Sequence, residues 1–116
     1  MRKDDMTAYR AVWRRPVNTS YRGYEVYGMG PPSSGAVAVS EALNILEGID
    51  VAAMRHNSAD YLHAIADAMN LAWADRNTYI ADPDFTPMPL RYLSDERLHR
   101  ALMQPSYSLN TALIQP

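Results

Sequence analysis

Residues 58–80, SADYLHAIADAMNLAWADRNTYI, decide the fold class of this 116-residue chain. Ser58 stands where an N-cap hydroxyl accepts from an amide of the first helical turn, and Asp60 places a negative charge near the positive end of the helix dipole. Leu62, Ile65, Ala66, Met69, Ala72, Trp73 and Ile80 recur at helical spacing and line one side. Tyr61, Ala64, Ala68 and Leu71 make much of another side apolar. A helix apolar around most of its circumference needs cover on more than one side. The segment therefore predicts a long helix over 59–80 and partners for it.

Immediately upstream, a second helix is expected over Ala36–Glu47, with Val39, Leu43 and Leu46 as its buried stripe and Gly48 at its C-cap. Gly30-Pro31-Pro32-Ser33-Ser34-Gly35 precedes it as a rigid irregular loop, because the prolines lack donors and force extended backbone. Ser33 or Ser34 is placed to cap the helix. A short helical turn is expected over 51–56.

The character changes further back. Val17-Asn18-Thr19-Ser20-Tyr21 and Tyr24-Glu25-Val26-Tyr27 are β-prone and flank Arg22-Gly23, which predicts a hairpin with Gly23 at positive φ. An isolated hairpin is marginal in water, so this one needs a sheet or a helix to pack on. Residues 4–14 read as a short helix capped by Asp4 or Asp5, with Met6, Tyr9 and Trp13 on one face and Pro16 ending it. Arg10, Arg14 and Arg15 then form a solvated cationic helix end.

Beyond the long helix, Asp82-Pro83-Asp84-Phe85-Thr86-Pro87-Met88-Pro89 reads as an extended connector. Ser94-Asp95-Glu96-Arg97 opens a last short helix. The expected architecture is mainly α, with about four helices and a small N-terminal β-hairpin. A helical domain occupies 1–103, followed by a partly disordered tail over 104–116.

Composition excludes several functions. Hydrophobic residues make up 47% of the chain, as in ordinary globular proteins. Eleven basic and thirteen acidic residues leave a net charge of -2, which offers no field for a phosphate backbone and no expectation of nucleic-acid binding. The absence of cysteine removes disulfides, thiol nucleophiles and thiolate metal sites. No run reaches the roughly 18 apolar residues of a membrane span, and Met1-Arg2-Lys3-Asp4-Asp5 leads into no signal-peptide apolar stretch.

Catalytic groups are equally sparse. His56, His63 and His99 are not spaced as metal ligands, and His63 reads as a packed histidine with one satisfied nitrogen. Ser33 and Ser34 lack the Gly-x-Ser-x-Gly setting of a nucleophile elbow, so a rigid loop with a helix cap is the expected role. The helix N-terminus behind them suits an anion. Asp75, Asp82 and Asp84 lack the ligand density of a calcium loop. Arg76 is expected to bridge to the connector carboxylates or to carbonyls and fix the loop after the helix. No catalytic, cofactor-binding or metal-binding residue is assigned.

Five stretches in series resemble the gamma-glutamyltranspeptidase family: Tyr21-Arg22-Gly23-Tyr24-Glu25-Val26, Pro31-Pro32-Ser33-Ser34-Gly35, Leu43-Asn44-Ile45-Leu46-Glu47, Ala74-Asp75-Arg76-Asn77-Thr78-Tyr79 and Asp82-Pro83-Asp84-Phe85. The resemblance covers about Tyr9–Leu98. It departs from the family at Ala36 and Ala81, where glycine is usual, and after Leu102.

The resemblance implies an N-terminal nucleophile hydrolase, made as a precursor that cuts itself into a large and a small subunit. The small subunit's N-terminal threonine takes a γ-glutamyl group from glutathione or a related amide and passes it to water or an amino acid. This chain resembles the C-terminal part of the large subunit. The threonine lies beyond its end, and the arginine that grips the glutamyl carboxylate lies before its start. Thr111 is not the nucleophile, because Leu109-Asn110-Thr111-Ala112 lacks the processing-site context. The expectation is a fragment inactive alone. Its partners would be the rest of the large subunit and the small subunit, or a second copy through the apolar helix. A free-standing helical interaction module, a cephalosporin acylase and a poly-γ-glutamate-processing enzyme are the alternatives. Bacterial members are usually exported or periplasmic.

Overall fold

A computed structural model describes residues 1–88 of the protein. The elements run α1 (Lys3–Ala8), β1 (Val17–Tyr21), β2 (Tyr24–Gly28), α2 (Gly35–Glu47) and α3 (Ala59–Tyr79). Mainly helical architecture with a small N-terminal hairpin is therefore present, with three helices among the described residues. The helix expected at Ser94 and the tail boundary at 103 lie outside the described residues.

α2 is the centre of the packing, with the hairpin on one side and α3 on the other. Val37, Ser40, Glu41, Asn44, Ile45 and Leu46 are its buried residues. The expected stripe of Val39, Leu43 and Leu46 is corrected: Leu46 is buried, but Val39 is 52% exposed and Leu43 half-buried. Hydrophobicity alone mislocated the stripe, because α2 turns a partly polar face to the hairpin. There Thr19 Oγ1 donates to Asn44 Oδ1 at 2.8 Å, which satisfies a buried amide oxygen that apolar packing would strand.

The hairpin is antiparallel, with Thr19 opposite Val26 and Val17 opposite Gly28. Arg22 and Gly23 both adopt positive φ, 50° and 84°, as a two-residue type I′ turn requires. Two bonds from the Arg22 amide to the Glu47 carboxylate, at 3.0 and 3.2 Å, hold this turn to the end of α2. Arg22 Nη2 also donates to the Ile49 carbonyl at 2.9 Å.

α3 starts where its cap predicts: Ser58 Oγ accepts from the Tyr61 amide at 3.3 Å. Ala68 and Ala72 are buried against α2, and these small side chains let the helices approach closely. Ile45, Leu46 and Ala68 form the core, flanked by Tyr21, Ile65 and Leu71. Apolar cover does not encircle α3, because His63, Asn70, Asn77 and Thr78 define an exposed polar side. The expectation of an apolar surface around most of the helix is corrected accordingly.

Three local readings change. The first helix ends at Ala8 instead of 14, and residues 9–16 run without regular structure. Met6, Tyr9 and Trp13 are exposed, so no packing extends a helix too short to propagate alone. Residues 50–58 form successive turns instead of a helical turn, closed by Ala53 N to Asp50 O at 3.2 Å and Ser58 N to Arg55 O at 2.9 Å. Asp82–Phe85 is a tight turn instead of extended chain: Asp82 O accepts from Phe85 and Thr86, and Asp82 Oδ1 accepts from the Asp84 amide at 3.0 Å.

Candidate functional site

Polar contacts that join distant parts of the chain gather at the junction of the hairpin with α2, already described, at the Gly30–Gly35 loop and at the connector after α3. In the loop, Gly30 and Pro31 are buried and Ser33 N donates to Gly30 O at 3.2 Å. Ser34 occupies the N-cap of α2, but its hydroxyl does not cap the helix. It accepts instead from Arg76 Nε of α3 at 3.1 Å. Ser33 Oγ accepts a long bond from the Gly35 amide at 3.5 Å.

Arg76 is itself held in place. Its guanidinium lies 5.0 Å above the Trp73 ring, and Nη1 donates to Asn77 Oδ1 at 2.9 Å. The expected bridge from Arg76 to the connector is corrected: one helical turn of reach brings it back to the loop before α2, whereas Arg14 reaches the connector. Arg14 Nη1 and Nη2 donate to the two oxygens of Asp84 at 3.2 and 2.7 Å, a two-pronged ion pair. The hydrogen bond from Arg14 holds the Asp84 carboxyl below its ordinary range, against a smaller opposing effect of burial. The Arg10–Arg15 cluster is thus only partly a solvated helix end: Arg10 Nη1 donates to Thr7 O at 2.7 Å, but Arg14 is a clamp.

A serine nucleophile needs a base to take its proton. Ser34 instead accepts from a guanidinium, and Ser33 accepts from the Gly35 amide. His63 is exposed instead of packed, and its Nε2 lies 3.1 Å from Asp67 Oδ2, one turn along α3. The His56 ring lies 5.6 Å from that of Tyr61, tilted by 56°; His99 lies outside the described residues. Among the described residues no three His, Asp or Glu side chains gather as a metal site, and no helix is long and apolar enough to cross a membrane.

The contacts do bring the sequence motifs together. The Tyr21–Val26 stretch meets the Leu43–Glu47 stretch through Arg22 and Glu47. The Pro31–Gly35 stretch meets the Ala74–Tyr79 stretch through Ser34 and Arg76. The turn at Asp82–Phe85 is tied to the N-terminal arm by Arg14. Glu41, 1% exposed, was missed from sequence; only its place one turn before Ile45 hinted at burial. Together these contacts brace the hairpin, the loop and the turn against the helices.

The sequence matches the family profile "Gamma-glutamyltranspeptidase" over residues 1–111, and the chain belongs to that family. The match runs past Tyr9–Leu98 in both directions, which corrects the reading that the chain departs from the family after Leu102. The chain is 42% identical over 100 residues to the glutathione hydrolase proenzyme of Escherichia coli, covering 86% of this chain and 17% of that protein. It is 45% identical over 92 residues to the acylase ACY 1 proenzyme of Pseudomonas sp. strain V22, covering 79% of this chain and 16% of that protein. The crystal structure of Helicobacter pylori gamma-glutamyltranspeptidase superposes with a TM-score of 0.85 at 35% identity, over 98% of this chain and 34% of that one.

Proposed function

We propose that this chain is a structural segment of an enzyme that transfers a γ-glutamyl group from an amide donor to water or an amino acid, and that it has no turnover alone. The superposition over 98% of the chain on the Helicobacter pylori enzyme carries this reading. In the proposed reaction a nucleophile outside this chain attacks the γ-glutamyl carbonyl. The amide C–N bond breaks, the leaving amine takes a proton, and the acyl group then passes to the acceptor. The segment's contribution is positional: Ser34–Arg76 and Arg14–Asp84 fix one loop and one turn relative to the helices, as a reacting geometry requires of its frame.

The test is complementation. The purified chain with a γ-glutamyl anilide releases no aniline. Co-expression with the remainder of the Escherichia coli hydrolase, lacking the matched stretch, restores release. Turnover by the chain alone, or a folded complex with none, overturns the proposal.

Identity to the acylase favours a second reading, a parent enzyme acting on the side-chain amide of a cephalosporin. The same complex separates the two. If this segment is only a frame, the hydrolase keeps its preference for γ-glutamyl amides over cephalosporin side chains; a shift toward the latter places substrate choice within these residues.

A further inference from the structure

Residues 1–16 are exposed throughout, and 9–16 have no regular structure. α1 has six residues, and none of them is buried. Tyr9, Val12 and Trp13 likewise face solvent. A protease binds its substrate as extended chain, so a structured element must first open locally to be cut. Residues 9–16 need little such opening, and exposed irregular stretches are where nicking concentrates. Which bond is cut then depends on which side chain a protease pocket can take.

The stretch offers three arginines in three settings. Arg10 Nη1 donates to the Thr7 and Tyr9 carbonyls at 2.7 and 2.8 Å, both within its own local stretch. These are exposed bonds to neutral acceptors, which water replaces at little cost. Arg14 is held by both oxygens of Asp84, at 3.2 and 2.7 Å, 70 positions away. Asp84 is itself oriented by the bond from its amide to Asp82 Oδ1. A pocket that takes Arg14 must compete with a carboxylate already in place. Arg15 precedes Pro16, whose ring fixes φ and crowds the bond before it. Elsewhere Arg22 donates to the Ile49 carbonyl and lies over the Tyr21 ring, and Arg76 donates to Ser34. The Arg55 carbonyl, one side of its own scissile bond, accepts from the Ser58 amide and is held in a turn.

We propose that the Arg10–Ala11 peptide bond is a processing site for an arginine-specific endoprotease, and that the Arg14–Asp84 pair sets its boundary by withholding the next arginine. Such an enzyme recognises a free guanidinium on extended chain, which Arg10 presents. Water adds to the Arg10 carbonyl carbon, and the C–N bond to Ala11 breaks. Arg10 leaves as a carboxylate, and the Ala11 nitrogen takes the proton as a new amino terminus. The cut separates α1 from the hairpin and the helices, while residues 11–16 stay tied to the turn after α3 through Arg14.

The probe is trypsin acting on the full-length chain, with new amino termini at Ala11, Arg15, Gly23 and His56 counted by mass spectrometry at short times. Ala11 is expected first among them, about fivefold ahead of Arg15, because an exposed ion pair withholds a side chain by about that factor. Asp84→Asn removes the competing charge; the Arg14–Arg15 bond should then be cut about fivefold faster while the Arg10–Ala11 rate holds. In the unmodified chain, high salt should speed the Arg14–Arg15 cut relative to the other. Circular dichroism and a melting curve establish that Asp84→Asn is folded; if it is not, the salt series decides the matter. An Arg15, Gly23 or His56 terminus that forms level with or ahead of Ala11 overturns the site. A ratio of the Ala11 and Arg15 termini that salt and a folded Asp84→Asn both leave unmoved overturns the boundary.

Discussion

Arg76 Nε donates to Ser34 Oγ at 3.1 Å across 42 positions of sequence, joining the last turn of α3 to the first residue before α2. The same guanidinium is stacked on Trp73. The bond therefore ties together two helices whose apolar contact is centred on Ile45, Leu46 and Ala68. Arg76→Ala is expected to destabilise the chain by about 1–3 kcal/mol through the lost charge-assisted bond and ring contact. Arg76→Lys should recover little, because an ammonium lacks the planar fork. Urea unfolding of Arg76→Ala, Ser34→Ala and the double variant checks this; additive losses would show that the two residues are not coupled.

The Arg14–Asp84 pair predicts a pH response. Its hydrogen bond lowers the Asp84 pKa from the ordinary 3.8. A carboxyl with a depressed folded-state pKa contributes stability that is fully present above its unfolded pKa and is lost as pH falls through the folded one. The arm-to-turn contact should thus hold at neutral pH and release only in acid, below the ordinary carboxyl range. The bond to Asp84 raises the Arg14 pKa further, so the guanidinium stays charged throughout. Carboxyl chemical shifts of Asp84 followed against pH should move to a higher midpoint in Arg14→Ala. An unchanged midpoint would remove the clamp, and salt should weaken it because both groups are near solvent.

Gly28 allows a close approach of β2 to α2. A Cβ added there would lie 2.6 Å from the Cβ of Ala36. Gly28→Ala should cost about 1–3 kcal/mol by overpacking at a backbone junction. Ala36→Gly in the same chain should relieve most of that cost, although each single change destabilises. Thermal melting of the two single variants and the double variant decides it. No rescue would mean that β2 can shift without strain.

Thr19 and Asn44 test the polar packing of α2. Thr19→Val keeps the shape but removes the donor to Asn44 Oδ1, with an expected loss of about 1–2 kcal/mol. Thr19→Ser keeps the hydroxyl and should lose less. If valine is the more stable of the two by urea midpoint, the buried bond contributes nothing net.

Ser58 and Gly23 show what was readable in advance. The first is used as a cap and the second has positive φ. Each acts through backbone geometry within a few residues, so the local sequence carries the signal. Pro16 does not end the first helix, which stops at Ala8. Val39 shows the opposite. It is the apolar residue expected inside, yet Ser40, Glu41 and Asn44 are buried beside it. Which side of α2 faces the hairpin depends on elements outside the helix.

The sequence by itself determined the long helix with its Ser58 cap, the hairpin turn and the family, because these rest on spacing between near neighbours and on motifs in series. Only the tertiary structure decided that Arg76 holds Ser34, that Arg14 holds Asp84, and that Leu62, Met69 and Trp73 of α3 are exposed. A long cationic side chain can reach several oxygens, and a helix can turn any face inward. Which option is taken is fixed by the three-dimensional neighbours that desolvate one and leave the others in water.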